Sequence, residues 1–262
     1  MHESVETTVS VQYATVILSV GIAPIFLRKR FALIEICVNR CAAFLAQDHF
    51  VASWHVHCIS ITMQSVQFPN LGYVRSSVVD SQLQGLKSWI NTISEDTTTI
   101  NHSHVGTIAR EYEIEDESVK QELSNILGPM VQQYCTDMHF TVEQRPMALT
   151  KAWCNLQTSG EYFAAHTHVG VFSFALWVQV PFTQADERAW REARGKSGRE
   201  TASFQFHYTD ALGRITPNVL EVDRSWENEI VVFPGEMMHS VTPYYSTDDT
   251  RIVVSGNVDY VG

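Results

Sequence analysis

Residues 161–181 read EYFAAHTHVGVFSFALWVQVP. From Gly170 to Val180 the stretch is rich in aromatic and β-branched residues and is bounded by Gly170 and Pro181, which predicts a β-strand. Two histidines, His166 and His168, stand one residue apart at its mouth. In extended backbone, residues i and i+2 point to the same side, so both imidazoles can face one point. Burying an imidazole without a partner is costly. The pair is therefore either a solvated strand start or a place where ligands converge.

Working outward, the same texture recurs after Phe140. Residues 148–156, 203–208, 229–233 and 251–258 are further expected strands, and the charged segment 182–199 is expected to be a loop between two of them. Before Phe140 the period changes. Residues 80–94 place Leu83, Leu86, Ile90 and Ile93 at helical spacing with Asp80 as N-cap. Residues 116–137 repeat the pattern, with Gly128 and Pro129 expected to kink or divide the helix. Strands following a helical half indicate an α+β chain, a β-sandwich or barrel backed by N-terminal helices.

The 262 residues suit one large domain or a domain with an appendage. A formal charge of −11, with Arg28-Lys29-Arg30 the one basic run, argues against a surface that tracks phosphates, so nucleic acid is not expected as a partner. Cys37, Cys41, Cys58, Cys135 and Cys154 are scattered, without a CxxC pair, and read as reduced thiols in a cytoplasmic protein. Residues 13–27 are apolar but contain Gly21 and Pro24 and fall short of the roughly 20 residues of a spanning helix, so a membrane segment is not expected. Residues 1–62 read as an extension, either a mis-assigned upstream segment or a poorly determined appendage, and residues 63–262 as the domain. The oligomeric state is not legible.

His239 follows the expected strand at 229–233, and Arg251 opens the one at 251–258. A third nitrogen ligand beside His166 and His168 would complete one face of a metal's coordination sphere and leave open positions, as oxygen-activating iron requires. The HxH spacing alone has little specificity. It recurs at His55 and His57 and at His102 and His104, neither followed by a comparable histidine and arginine block, and both pairs, like His207, are read as non-catalytic. Asn155, Gln157, Trp153, Ser173, Trp177, Ser255 and Asn257 are further candidates to line a pocket, by alternation along their strands.

Trp153-Cys154-Asn155, GEY at 160–162, HTH at 166–168, FSFALWVQVP at 172–181, FPGEMMHSVTPYY at 233–245 and RIVVSGN at 251–257 together resemble the 2-oxoglutarate and iron(II)-dependent oxygenases. The pattern is similar to a prolyl-hydroxylase-like branch found in tailed phages and bacteria. The resemblance covers about residues 67–260 and implies a double-stranded β-helix, or jelly-roll and cupin-like, core. It implies iron(II) held by His166 and His239, 2-oxoglutarate as co-substrate with its distal carboxylate on Arg251, and ascorbate as an accessory. Asn155 and Ser255 join Arg251 as candidate cofactor-binding residues. The implied reaction hydroxylates a small-molecule or peptidyl, including prolyl, substrate and releases succinate and CO2.

The chain departs from the family at His168, where most members carry an acid. Glu161 is the nearest acid and is not expected to share the pocket. His168 is expected to replace the carboxylate as third ligand; the alternatives are a centre with two protein ligands or an acid from elsewhere. The segment at 186–199 could form a lid. Two rival functions remain open from the residues: a cupin-like metal protein that does not use 2-oxoglutarate, with Arg251 structural, and a non-enzymatic β-sandwich assembly module.

Overall fold

The computed structural model describes residues 63–66, 72–93, 97–99, 106–196 and 201–262. The expectations for residues 1–62, with Cys37, Cys41, Cys58, His55 and His57, and for His102 and His104 lie outside the described residues.

Among the described residues, eleven strands form two antiparallel sheets. They are β1 (Met63–Val66), β2 (Tyr73–Ser77), β3 (Glu111–Glu113), β4 (Met147–Gln157), β5 (Phe163–His166), β6 (Phe172–Gln179), β7 (Ser203–Thr209), β8 (Ile215–Glu221), β9 (Glu229–Pro234), β10 (His239–Val241) and β11 (Arg251–Tyr260). The larger sheet has the order β1-β2-β9-β6-β11-β4-β3, and the smaller β5-β10-β7-β8. From β4 onward the chain passes back and forth between the sheets, so β4, β11, β6 and β9 face β5, β10, β7 and β8. This is the double-stranded β-helix, and its opposed faces enclose a space between the sheets.

Alternation along the strands divides the apolar residues into two cores. Even-numbered positions of the larger sheet, among them Cys154, Phe174, Leu176, Val232 and Val254, are buried with the residues of two helices. Odd-numbered positions, Ala175, Trp177, Val231 and Phe233, point between the sheets and pack with Phe204, Phe206 and Tyr244. The helices on the outer face are α1 (Gln84–Ile90) and α2 (Glu117–Asp137). The N-terminal helices thus back the sheet, as expected.

Three local expectations need correction. Residues 80–82 form a 3-10 turn and α1 starts only at Gln84, so Asp80 is not its N-cap. Asp80 instead accepts from Lys87 and Asn228, and the first turn of α1 is capped from α2, where the Glu122 carboxylate accepts from Gly85 and Leu86 N–H at 3.0 Å each. Helix α2 runs unbroken through Pro129. Its buried residues lie on both sides of the proline and pack in one core, which offsets the roughly 3 kcal/mol cost of an interior proline.

The charged segment after Phe182 is not a loop but begins with a third helix, α3 (Gln184–Glu192), opened by a capping box between Thr183 and Asp186. Its inward face is polar. Glu187 accepts from Tyr245 and Ser246 N–H at 2.8 and 2.7 Å, Arg191 donates to Thr201, and Gln184 donates to the Ala202 and Val222 carbonyls. A search for an apolar stripe overlooks a helix that docks by hydrogen bonds to backbone.

Gly256 shows how tightly β11 and its neighbours fit. A Cβ there would lie 2.3 Å from the Lys151 carbonyl oxygen and 2.7 Å from the Phe174 ring. Gly256→Ala is therefore expected to cost about 2 kcal/mol through overpacking, seen as a fall of about 4–8 °C in thermal melting. An unchanged Tm would show that β4 and β11 can part at no cost.

Candidate active site

A cavity of about 270 Å3 lies between the sheets. Its floor is the odd-numbered face of the larger sheet. Strand pairing sets Glu111, Asn155, Val253 and Trp177 in one row across β3, β4, β11 and β6, with Trp153, Ser255 and Ala175 in the next. Phe163, His166, Phe204, His239 and Val241 of the smaller sheet form the opposite wall.

The three expected ligands converge there. His239 of β10 pairs directly with His166 of β5. His168 lies beyond the end of β5, and its N–H donates to the Gly235 carbonyl at 2.8 Å, which brings the loop back over the site. Gly235 permits this approach, since a Cβ on it would meet the Gly170 carbonyl oxygen at 2.5 Å. Ring centroids are 4.4 Å apart for His166 and His239, 4.9 Å for His166 and His168, and 5.0 Å for His168 and His239. One ring nitrogen from each lies within 4.8 Å of the others.

Their protonation suits metal binding. Burial holds the pKa of all three below the usual value; His168 falls to about 4, helped by the neighbouring His166, and His239, the most buried, lies well below it. At neutral pH they are uncharged and offer lone pairs. Nδ1 of His166 lies 2.7 Å from the Ala164 carbonyl oxygen and Nδ1 of His239 2.9 Å from that of Met237. A carbonyl only accepts, so each Nδ1 carries the proton and Nε2 carries the free pair. The Phe204 ring stacks on His239 at 5.3 Å and 13°.

Arg251 is 1% exposed. Its Nε and Nη2 both donate to Gln157 Oε1, and the Gln157 amide is in turn fixed through its own N–H to the Glu161 carbonyl. Burial lowers the Arg251 pKa to about 10, so it remains a cation at neutral pH. No carboxylate forms an ion pair with it among the described residues. A buried cation held by a neutral amide suits an anionic ligand in the cavity. Three neutral nitrogen donors and a buried guanidinium without a direct ion pair among the described residues thus fit a metal and a carboxylate co-substrate.

Asn155, Gln157, Trp153, Trp177, Ser255 and Asn257 line the cavity as expected. Ser173 does not; its hydroxyl donates to the Gly256 carbonyl at 2.9 Å. His207 lies outside it, against Ser240. Glu161 points away and accepts from Ala109 and Thr158 N–H. No residue of 182–196 lines the cavity, so the described part of the expected lid does not cover it. What sequence reasoning missed is Glu111. It is 5% exposed, lines the cavity, and burial raises its pKa to about 7.

Residues 151–257 match the family model described as "Putative 2OG-Fe(II) oxygenase". No curated protein matches the chain. Among solved structures, a Pseudomonas putida prolyl-4-hydroxylase is similar at 12% identity and TM-score 0.49, over 74% of this chain and 95% of that one. A 2OG-Fe(II) oxygenase family oxidoreductase from Burkholderia pseudomallei is similar at 14% identity and TM-score 0.40, over 66% and 76%. The viral collagen prolyl hydroxylase of Paramecium Bursaria Chlorella virus-1 is similar at 7% identity and TM-score 0.41, over 72% and 96%. The resemblance read from the sequence agrees with the family model over residues 151–257, a model of oxidoreductases that use iron(II) and 2-oxoglutarate. Among the described residues no helix is long and apolar enough to cross a membrane.

Glu111 allows a prediction from pH alone. Its folded pKa is raised from 4.5 to about 7, so the folded state holds the proton more tightly than the unfolded chain. The contribution is fully present below pH 4.5 and is lost as pH rises through 7, at most about 3 kcal/mol. Glu111→Gln, which carries no such charge, should gain stability relative to wild type between pH 5 and pH 8. Parallel denaturant melts at both pH values measure this, and a constant difference between the two proteins would refute it.

Proposed function

We propose that the domain spans residues 63–262 and hydroxylates a C–H bond of a small-molecule or peptidyl substrate, with His166, His168 and His239 holding iron(II) and Arg251 holding the distal carboxylate of 2-oxoglutarate. The observation that carries this reading is the convergence of three neutral imidazoles beside a buried arginine that has no carboxylate partner among the described residues. When bound, iron(II) and 2-oxoglutarate would supply the oxidising power, with succinate, CO2 and a hydroxylated substrate as the products of their reaction with O2.

The chain's own residues perform the binding and orienting. The Ala164 and Met237 carbonyls keep the His166 and His239 protons on Nδ1, so that both Nε2 lone pairs stay available. Gln157 fixes the plane of the Arg251 guanidinium, whose remaining N–H groups suit a carboxylate. Trp153, Trp177 and Phe204 present apolar surface in the cavity, which keeps water from the reacting groups. His168 takes the place of the usual acid and leaves the donor set with one negative charge fewer.

Anaerobic addition of Fe(II) and then 2-oxoglutarate to metal-free protein should produce a visible charge-transfer band, and admitting O2 should yield succinate. The band should be absent in His239→Ala and Arg251→Gln variants that melt cooperatively. His168→Ala should bind Fe(II) more than tenfold more weakly, and retention of full affinity would refute the three-histidine centre. Metal binding without response to 2-oxoglutarate would favour a cupin-like metal protein. No metal binding would favour an assembly module.

A further inference from the structure

The cavity contains an acidic pole that the proposed chemistry does not use. Glu111 of β3 is in register with Asn155 of β4, so their side chains stand on the same face, with Cβ atoms about 5 Å apart. Both line the cavity. The Glu111 carboxylate has no hydrogen bond or ion pair among the described residues, and the Asn155 side-chain oxygen is buried without a partner. A buried amide oxygen beside a carboxylate that faces the cavity, with no donor to either among the described residues, forms a site that is incomplete until a donor arrives.

Its position sets it apart from the anion pole. Arg251 pairs with Gln157, two residues along β4 from Asn155. Glu111 and Arg251 are therefore separated by two strand spacings and two residues, roughly 12 Å between Cα atoms. Lys151 lies four residues from Asn155 along β4, roughly 13 Å away, and forms no ion pair with Glu111. Glu111 is also absent from the group of residues able to share one metal ion with the three histidines.

We propose that Glu111 and the Asn155 side-chain oxygen bind a cationic group of the substrate, an ammonium or guanidinium, and thereby set the substrate class. An ammonium carries three donors and no acceptor, and a guanidinium five, which matches a pair of acceptors better than any neutral group. Burial without compensation keeps the empty carboxyl partly protonated at neutral pH, and an arriving cation restores the ionised form. The cation is carried either by a free amine or by a basic side chain of a peptide. The inference rests on the cavity being the substrate site of the proposed oxygenase.

The test is calorimetric and needs no turnover. n-Butylammonium, n-butylguanidinium, L-lysine and a glycine-flanked lysine pentapeptide are titrated into full-length protein, both metal-free and loaded anaerobically with Fe(II) and 2-oxoglutarate. Each is matched by a neutral counterpart: n-butanol for the butyl probes, and Nε-acetyl-lysine, free or in the pentapeptide, for the lysine probes. At least one cation should bind wild type tenfold or more tightly than its counterpart, and E111Q should lose that preference while keeping its Fe(II) and 2-oxoglutarate affinities. Preference for L-lysine or for the pentapeptide identifies the source.

The proposal is overturned if no cation is preferred by wild type, or if E111Q keeps the preference. It is overturned equally if E111Q loses Fe(II) binding to the same degree. The wild-type comparison stands even without a folded variant. A cation preference in protein that fails to bind iron would keep the cation site but remove the oxygenase reading, and with it the assignment of that cation to the oxygenase's substrate.

Discussion

The pairing of His239 with His166 across β10 and β5 is the contact on which the site depends. Side chains directly opposed on one face of a sheet have no choice but to meet, and a slip of one residue would send either imidazole to the other side. The register is held from both sides of β10, since His239 also pairs with Phe206 of β7. His168 is then added by a backbone contact, its N–H on Gly235, which lies in the turn leading to β10. One short stretch of chain thus supplies one of the three imidazoles and positions another.

The cavity is built from groups that destabilise the empty protein. Among the described residues Arg251 is buried with a neutral amide as the acceptor of its side-chain hydrogen bonds, Asn155 keeps an unpaired oxygen, and Glu111 is pushed toward neutrality. Each would be better placed in water, and each remains because the strands on which it lies are fixed by the two cores on either side of the larger sheet. Buried polar groups that lack partners in the protein point to ligands that provide them. The arrangement has two opposite poles: a cation beside Gln157 and a carboxyl beside Asn155.

Much of this was legible in the sequence. The alternation at 148–156, 170–180 and 251–258 located three adjacent strands of the larger sheet, and the ordered motifs brought His166, His168, His239 and Arg251 together as the structure does. What was not legible has physical causes. Helix α3 faces the protein with Gln184, Glu187 and Arg191, so its sequence lacks an apolar stripe. The local cost of Pro129 predicts an interrupted helix, and packing on both sides outweighs it. Glu111 was missed because β3 spans three residues, too few for alternation to register, and its burial follows only from pairing with β4.

The central claim is that three imidazoles, without a carboxylate, form the metal face. X-ray absorption at the iron edge of the anaerobic Fe(II)-loaded protein counts imidazole ligands directly, through the multiple scattering of the rings. The account predicts three imidazoles in the wild type and two in His168→Ala. Two imidazoles in the wild type, unchanged by that substitution, would contradict it.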